Sequence, residues 1–433
     1  MEQYKKYKDS GVDWIGEIPS HWDVAPLKRA LTLNNGCDYK HLISEDGYPV
    51  LGSGGQFAYA SDYLYDGEVL LLGRKGTIDR PMYFKGKFWT VDTMFYGVSK
   101  DNADVKYLYY QAITFPFDYY ATATALPSMK GSDLENNPIC LPPLAEQKKI
   151  AKYLDEKCGK IDSMIEQIGK KIALYERLRR AIITKAVTRG LEKDPQLKDS
   201  GNERLGQIPT RWNLSCVGKH FQVILGKMLC PKPLDSTYTL NPYFCAGDVH
   251  FDGVNKDNLK EMWFSPSEKE KYLVKDGDLL IVEGGAGAGG CANVTIQDGE
   301  EYYIQNSILI VRHPQNSTVY LKYLIESLVR DGYIDDVCNI ATFAHFTKDK
   351  VCRVPYPTMS VEEQHKIAEY LDKKCSKIDS SISKYIKQKE LLERYRKALI
   401  AQVVTGKRRV CEPIFDYPNT TQMPPAMAAE ENI

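Results

Sequence analysis

The chain has 433 residues, of which 43% are hydrophobic and 26% are charged. At roughly 100–200 residues per domain this length predicts two to four domains, and the composition excludes a wholly disordered chain. The sequence lacks the run of about 18 apolar residues that a membrane-spanning helix needs, and the charged N-terminus is followed by no apolar stretch, so we expect no secretory signal. Eleven cysteines without a C-x-x-C pair argue against a disulfide framework or a zinc ribbon. They indicate reduced thiols and therefore a cytoplasmic protein.

The charges are unevenly distributed along the chain. The formal net charge is zero, from 57 basic and 57 acidic residues. Residues 146–190 carry twelve basic and six acidic side chains, and residues 363–409 carry thirteen and six. The stretches 30–140 and 220–354 are acidic, with nine basic against thirteen acidic residues and thirteen against eighteen. Because nucleic-acid-binding proteins are usually basic, any positive field must come from the two basic segments and from local clusters.

The order of the elements is set by an internal duplication. A motif at Lys8–Trp22 recurs 190 residues later, at Lys198–Trp212. A second block, Glu146–Thr188, matches Glu363–Thr405 without a gap and is identical at 24 of 43 positions. The duplication predicts two similar frames that hold different inserts, residues 30–140 and 220–354.

The first insert is predicted to have an α+β fold. It contains a strand-like run at Glu68–Leu72 and a short helix candidate at Val105–Ile113. It also holds a basic cluster that is opposed locally only by Asp79. On a hairpin this cluster would form a ridge that contacts phosphates, and a solvated hairpin is the alternative. The predicted DNA contacts here, including two residues of the loop 122–130, are Arg74, Lys75, Arg80, Lys85, Lys87, Ser128 and Lys130.

Each 43-residue block is predicted to be one long amphipathic helix. Apolar residues follow heptad spacing in both copies, neither copy contains proline, and Gly190 and Gly406 lie near their ends. A single helix of this length needs a partner, and the most economical one is its own duplicate, packed antiparallel. The predicted interface residues of the paired helices are Ile161, Ile165, Ile168, Ile172, Ile378, Ile382, Tyr385 and Leu392.

The second insert is also predicted to be α+β, with a strand-like run at Asp278–Val282 and a helix candidate at Tyr320–Val329. Gly285–Gly290 fits the G-x-G-x-x-G pattern, but a β-type run follows it, so we favour a tight turn between strands over a dinucleotide loop. Gly226-Lys227-Met228 lacks the hydroxyl residue of a phosphate-binding loop, and no histidines pair at metal spacing. The sequence therefore predicts no catalytic site, metal or cofactor in this chain. The predicted DNA contacts of the loop 341–350 are His345, Thr347, Lys348 and Lys350.

The duplicated order of these motifs resembles the specificity (S) subunit of type I restriction–modification systems over nearly the whole chain. The likeness is carried by Gly11–Trp22, Leu126–Leu134, Pro142–Ile150, Leu205–Trp212 and Glu362–Ile367, and the sequence departs from the pattern at Phe343–Phe346, where a proline is missing. The resemblance implies two α/β target-recognition domains, each reading half of a split DNA site. It also implies two long helices that pair as an antiparallel coiled coil and fix the gap, in a pseudo-twofold repeat of overall α+β class.

The same resemblance implies partners rather than chemistry in this chain. Two modification subunits would bind S-adenosylmethionine and methylate adenine N6, and restriction subunits with ATP- and Mg-dependent motors would join them. The chain would be their non-catalytic subunit and would read an asymmetric double-stranded DNA target. The expected domains are a first target-recognition domain (1–143), a central spacer helix (144–195), a second target-recognition domain (196–360), a C-terminal spacer helix (361–410) and a disordered tail (411–433).

Three other functions remain compatible with the residues alone. The chain could be the recognition subunit of another restriction system, such as a type IIB-like complex, which would differ only in its partners. It could be a stand-alone methyltransferase or nuclease with an unrecognised site, which transfer of a methyl group by the purified chain would reveal. It could also be a coiled-coil scaffold without a DNA role, which salt-sensitive and sequence-specific duplex binding would exclude.

Overall fold

The computed structural model describes residues 3–120, 127–338 and 344–410. The predicted tail at 411–433 and parts of the two predicted loops lie outside the described residues. Contacts divide the chain into two compact units, unit 1 (Met1–Gly169 with Lys387–Ile433) and unit 2 (Lys170–Ile386). Among the described residues no helix combines the length and the apolarity needed to cross a membrane.

Unit 1 is built around a seven-stranded sheet of order β4-β10-β8-β9-β6-β7-β5, in which only β6 and β9 pair parallel. Its strands are β1 (Tyr7–Asp9), β2 (Glu17–Pro19), β3 (Asp23–Pro26), β4 (Leu31–Asn35), β5 (Ile43–Ser44), β6 (Tyr48–Gly52), β7 (Gly55–Ala60), β8 (Tyr65–Gly73), β9 (Met82–Thr90), β10 (Met94–Ser99) and β11 (Pro138–Leu141). Its helices are α1 (Val105–Ala112), α2 (Phe117–Tyr120), α3 (Gly131–Asn136) and the first part of α4 (Leu144–Arg189).

Strand β8 is buried on both faces, which explains its continuous apolar run. Leu70 and Leu72 pack in one core cluster with Tyr107 of α1, whereas Val69 and Leu71 pack in a second cluster. Successive side chains of a strand point to opposite faces, so a run without alternation is expected only where both faces are covered.

Unit 2 repeats this plan with a smaller central sheet, of order β15-β23-β20-β21, and a separate three-stranded sheet, β19-β16-β22. Its strands are β12 (Leu197–Asp199), β13 (Gln207–Pro209), β14 (Asn213–Cys216), β15 (Gln222–Leu225), β16 (Thr239–Phe244), β17 (Val249–His250), β18 (Gly253–Val254), β19 (Lys260–Phe264), β20 (Leu279–Val282), β21 (Cys291–Asn293), β22 (Tyr303–Ile304), β23 (Ile308–Arg312) and β24 (Pro355–Thr358). Its helices are α5 (Pro266–Tyr272), α6 (Thr318–Arg330), α7 (Tyr333–Val337), α8 (Lys348–Cys352), the last part of α4, and the first part of α9 (Val361–Val404).

The two long helices pack together within each unit, as the sequence predicts. In unit 1 the early part of α4 meets the late part of α9, where Ile161, Ile165 and Leu392 share one core cluster. In unit 2 the late part of α4 meets the early part of α9, where the rings of Tyr175 and Tyr385 lie 5.8 Å apart. Early residues of one helix thus meet late residues of the other, which is the antiparallel arrangement. The eight predicted interface residues are all buried or half-buried.

A buried glutamine at the start of each long helix holds the neighbouring domain helix. Gln147 Oε1 accepts from the backbone N–H of Asp104, the N-cap of α1, at 2.9 Å, and its Nε2 donates to two backbone carbonyls. In unit 2, Gln364 Oε1 accepts from the N–H of Ser317, the N-cap of α6, also at 2.9 Å. Each domain helix is therefore fixed to a long helix by side-chain hydrogen bonds, which explains the repeated Glu-Gln dipeptide.

A glycine at the end of each long helix packs against the tryptophan of the repeated motif. Gly190 and Gly406 have φ values of +74° and +70°, the left-handed conformation common where helices end. A Cβ at Gly190 would lie 3.2 Å from the ring of Trp212, and a Cβ at Gly406 would lie 3.2 Å from that of Trp22 and would overlap Pro19. Both tryptophans are fully buried. Glycine is therefore required here by conformation and by space.

Candidate nucleic-acid interface

The turn that follows β8 is joined by main-chain hydrogen bonds to the segment that precedes α3. The N–H of Met129 donates to the carbonyl of Arg74 at 2.9 Å, and the N–H of Gly76 donates to that of Pro127 at 3.0 Å. Between these bonds, Lys75 and Ser128 form an isolated antiparallel bridge. The joint uses only backbone atoms, so it does not require particular side chains at these positions.

Unit 2 contains the same joint after β20. The N–H of Phe346 donates to the carbonyl of Glu283 at 2.6 Å, and the N–H of Gly285 donates to that of Ala344 at 3.2 Å. Gly284 and His345 form the isolated bridge. We call these joined segments, 74–76 with 127–130 in unit 1 and 283–285 with 344–347 in unit 2, the bridged edge of each unit.

The two bridged edges present opposite charges from equivalent main-chain positions. Matching the hydrogen bonds places Arg74 at the position of Glu283, and Lys75 at that of Gly284. Lys130 similarly corresponds to Thr347. The bridged edge of unit 1 is therefore basic, whereas the equivalent turn of unit 2 carries a carboxylate and a glycine.

The bridged edge of unit 1 borders an open cleft of about 490 Å³. Four of the seven DNA contacts predicted in this insert line it, namely Arg74, Lys75, Ser128 and Lys130. The guanidinium carbon of Arg74 lies 5.7 Å from the centre of the Phe95 ring, and its Nη1 donates to the carbonyl of Asp92 at 3.3 Å. The guanidinium of Arg74 is thus positioned at the cleft by the Phe95 ring and the Asp92 carbonyl, and among the described residues it makes no second hydrogen bond.

The remaining basic residues of the predicted ridge lie elsewhere. Arg80 is exposed in the connection between β8 and β9. Lys85 and Lys87 lie on β9 opposite Glu68 and Asp66, five and seven residues before the end of β8. At about 3.3 Å per residue these positions are roughly 17 and 23 Å along the strand. The basic cluster is therefore divided. Arg74 and Lys75 lie in the turn directly after β8, whereas Lys85 and Lys87 lie on β9.

Cross-strand pairing also brings acids to this cluster that the local sequence does not contain. Lys85 Nζ lies 2.8 Å from Glu68 Oε1, and this hydrogen bond holds the pKa of the Glu68 carboxyl below its usual value. The same hydrogen bond raises the pKa of the Lys85 ammonium. Lys87 Nζ instead lies over the Tyr63 ring, 4.5 Å from its centre. The charge of Lys85 is therefore largely balanced within the strand pair.

The predicted contacts of unit 2 cluster around the start of α8. His345 is exposed and its Nδ1 lies 3.4 Å from Glu283 Oε2. Thr347 is the N-cap residue of α8, and Lys348 is exposed in its first turn. Lys350 Nζ donates to the carbonyl of His345 at 2.7 Å. All four residues therefore lie on or beside the bridged edge.

Glu283 is the residue that the sequence analysis missed. It precedes the glycine-rich turn, for which the sequence predicts a tight connection between strands and no DNA contact. The signal that could have found it is the alignment of Gly76 with Gly285, two turn glycines at φ +85° and +88°, which brings Arg74 into register with Glu283.

The described part of the chain contains no group of three or more His, Cys, Asp or Glu side chains that could hold a metal ion. The two bridged edges present side chains of opposite hydrogen-bonding kind, with donors on Arg74 and acceptors on Glu283. Arginine donates two hydrogen bonds to guanine, and a carboxylate accepts one from the amino group of cytosine.

The family model described as the type I restriction modification DNA specificity domain matches residues 19–173. The chain is 25% identical to the type I restriction enzyme MjaX specificity subunit of Methanocaldococcus jannaschii, over 94% of this chain and 98% of that protein. It is 20% identical to the type I restriction enzyme EcoDI specificity subunit of Escherichia coli, over 81% of each. The chain is thus similar in sequence to type I restriction–modification specificity subunits.

The fold of this chain is also found in a solved structure. A chain from a study of complex assembly and conformational transition in the type I restriction–modification system matches it with a TM-score of 0.64. The match has 16% sequence identity and covers 89% of this chain and 98% of the other. At this identity the likeness concerns the fold.

Proposed function

We propose that the chain is a specificity subunit that reads a bipartite, asymmetric DNA target and assembles the modification and restriction subunits of a type I system around it. The observation that carries the proposal is the bridged edge. Both units form it with the same main-chain hydrogen bonds, but the side chains on it differ between the units. A repeated main-chain arrangement with divergent side chains is what two readers of different half-sites require, because bases are recognised by side-chain chemistry.

The chemistry of methylation and cleavage belongs to the partners in this proposal. The modification subunits supply S-adenosylmethionine, the restriction subunits supply ATP and Mg-dependent translocation, and the complex works in the cytoplasm. The specificity subunit contributes the two readers and the paired helices that separate them. Two modification subunits, one for each unit, would match the internal duplication.

Because the chain has no net positive charge, we assign most of the DNA affinity to the assembled complex. Neutralisation of phosphates is a main source of affinity for duplex DNA, and this chain has 57 basic and 57 acidic residues. We therefore expect the isolated chain to bind duplex weakly and with a shallow salt dependence. The complex with modification subunits should bind more tightly and lose affinity more steeply as salt increases.

The decisive experiment exchanges one insert. Residues 30–140 are replaced by the corresponding insert of another specificity subunit, and the selected DNA sites are determined for complexes with and without the exchange. One half of the site should change while the other half and the gap stay the same. If both halves changed, or neither did, the units would not be independent readers.

A further inference from the structure

We propose that Arg74 and Glu283 are specificity-determining residues, with Arg74 reading a guanine in one half-site and Glu283 reading a cytosine in the other. This inference rests on the proposed function and adds to it which residues read the DNA and which bases they read. It begins from the equivalence of the two positions, because each residue follows the central strand of its unit and accepts the same backbone hydrogen bond.

The surroundings of Arg74 fit a guanine reader. Its side chain borders the cleft of about 490 Å³, close to Asn35, Ser128 and Lys130. A guanidinium has five N–H donors in a planar fork, and among the described residues that of Arg74 makes one hydrogen bond, to the Asp92 carbonyl. The fork matches the O6 and N7 acceptors of guanine. The ring of Phe95 beside it restricts the side chain before DNA binds.

The surroundings of Glu283 fit a cytosine reader. Its side chain is 19% exposed and lies beside His345. An ionised carboxylate only accepts hydrogen bonds, and the donors in the major groove are the N4 amino group of cytosine and the N6 amino group of adenine. Adenine also presents the acceptor N7 beside N6, which repels a carboxylate, so cytosine is the better partner. Gly284 and Gly285 follow directly, and residues without a Cβ allow the backbone to approach a ligand closely.

The sign of the charge at Glu283 supports a role in discrimination rather than affinity. A carboxylate near DNA is repelled by phosphates, so it adds nothing to non-specific binding. A group of this kind increases specificity by rejecting bases that offer it no donor, because a desolvated carboxylate without a partner is costly. The lysines of β9 are not expected to discriminate between bases in this way, because they are positively charged and Lys85 is already paired with Glu68.

The test uses the full chain assembled with its modification subunits and a library of randomised duplexes. The variants Arg74→Gln and Glu283→Gln are compared with two controls that remove an exposed charge outside the bridged edges, Arg29→Gln and Glu270→Gln. Sequencing the bound duplexes gives the base preference at every position. Gap length and the unaffected half-site serve as internal references.

We expect Arg74→Gln to lose a guanine preference at one position of one half-site, by roughly 5- to 150-fold in discrimination. Glu283→Gln should lose a cytosine preference at one position of the other half-site. Both variants should gain adenine there, because glutamine pairs with the N6 and N7 atoms of adenine. The two controls should select the same site as the natural chain.

A second measurement applies if a variant no longer assembles. In the natural complex, replacing the proposed guanine by 7-deazaguanine removes the N7 acceptor and should weaken binding at that position alone. Unchanged affinity, or variants that select the unaltered site, would overturn the assignment while leaving the proposed function intact. A natural complex that selects no site at all would overturn both.

Discussion

The Nε atom of Arg396 lies 2.8 Å from Oδ1 of Asp162, and this pair links the two long helices within unit 1. The same pair recurs in unit 2, where Nε of Arg179 lies 2.9 Å from Oδ1 of Asp379. Each helix thus contributes one arginine and one aspartate, and a guanidinium can bond a carboxylate with a fixed orientation. The two pairs fix the register of the helices in each unit, a property that the apolar heptads specify less strictly.

The two arginines should differ in their contribution to stability. Arg179 also pairs with Glu326, a fully buried carboxylate that Arg330 contacts from α6, whereas Asp162 is half exposed. Removing Arg179 leaves the buried Glu326 carboxylate paired with Arg330 alone among the described residues, so Arg179→Ala should lower the free energy of unfolding by about 3 kcal/mol. Arg396→Ala should cost about 1 kcal/mol. Urea unfolding measures both, and equal losses would contradict this account.

Alanine at Gly406 should destabilise unit 1 more than alanine at Gly11. Both glycines have positive φ, +70° and +74°, so each substitution costs about 1–2 kcal/mol in backbone conformation. Only at Gly406 would the new Cβ overlap Pro19 and press on Trp22, whereas nothing lies within 4 Å at Gly11. The overlap should add about 1–3 kcal/mol. Thermal unfolding of the two variants gives the difference, and an equal loss would mean that the overlap is relieved without cost.

Replacing Gln147 by leucine should detach α1 from the long helix. The substitution leaves the Asp104 N–H and the carbonyls of Asn102 and Pro142 without their partner, and of the three hydrogen bonds the one to Pro142 is buried while the other two are half-buried. A buried polar group that loses its partner costs about 1–3 kcal/mol and a group that water can reach costs less, so we expect a total loss of about 2–3 kcal/mol. Gln167→Leu, on the exposed face of the same helix, is the matched control and should change stability little. Hydrogen exchange of the α1 amides would show whether the loss is local.

Lengthening both long helices by one heptad should widen the unread gap in the DNA target. Seven residues add about 10 Å to a helix, which corresponds to roughly three base pairs at 3.4 Å each. The two half-site sequences should remain unchanged, because the inserts are unaltered. Site selection by the natural and lengthened complexes is the measurement. An identical gap in both would rule out a spacer role for these helices.

The duplication and the long helices were predictable because both are repeated patterns in the sequence. The predicted helix block Glu146–Thr188 lies within α4, and the apolar runs at Val69–Leu72 and Leu279–Val282 are strands. These elements depend on local periodicity, which one sequence contains. Their pairing as helices followed from the need to bury two apolar faces.

The charge environment of the candidate interface was not predictable, because it depends on strand register. Lys85 looked unopposed in the sequence, but the pairing of β8 with β9 places Glu68 beside it. Lys227 is a similar case. It resembled a failed phosphate loop, but it is buried, its Nζ lies 2.5 Å from Glu268, and Tyr238 covers it at 5.0 Å. A single sequence does not state which distant residue faces a given side chain.

The main-chain hydrogen bonds of the bridged edge have an evolutionary consequence. Because the joint is made by backbone atoms, substitution of Arg74, Ser128 or Glu283 removes none of the bonds that hold it. Under the proposed function, new target sequences would therefore arise by single substitutions that remove none of these hydrogen bonds. Gly76 and Gly285, whose positive φ the turns require, would then be more constrained in evolution than the residues beside them.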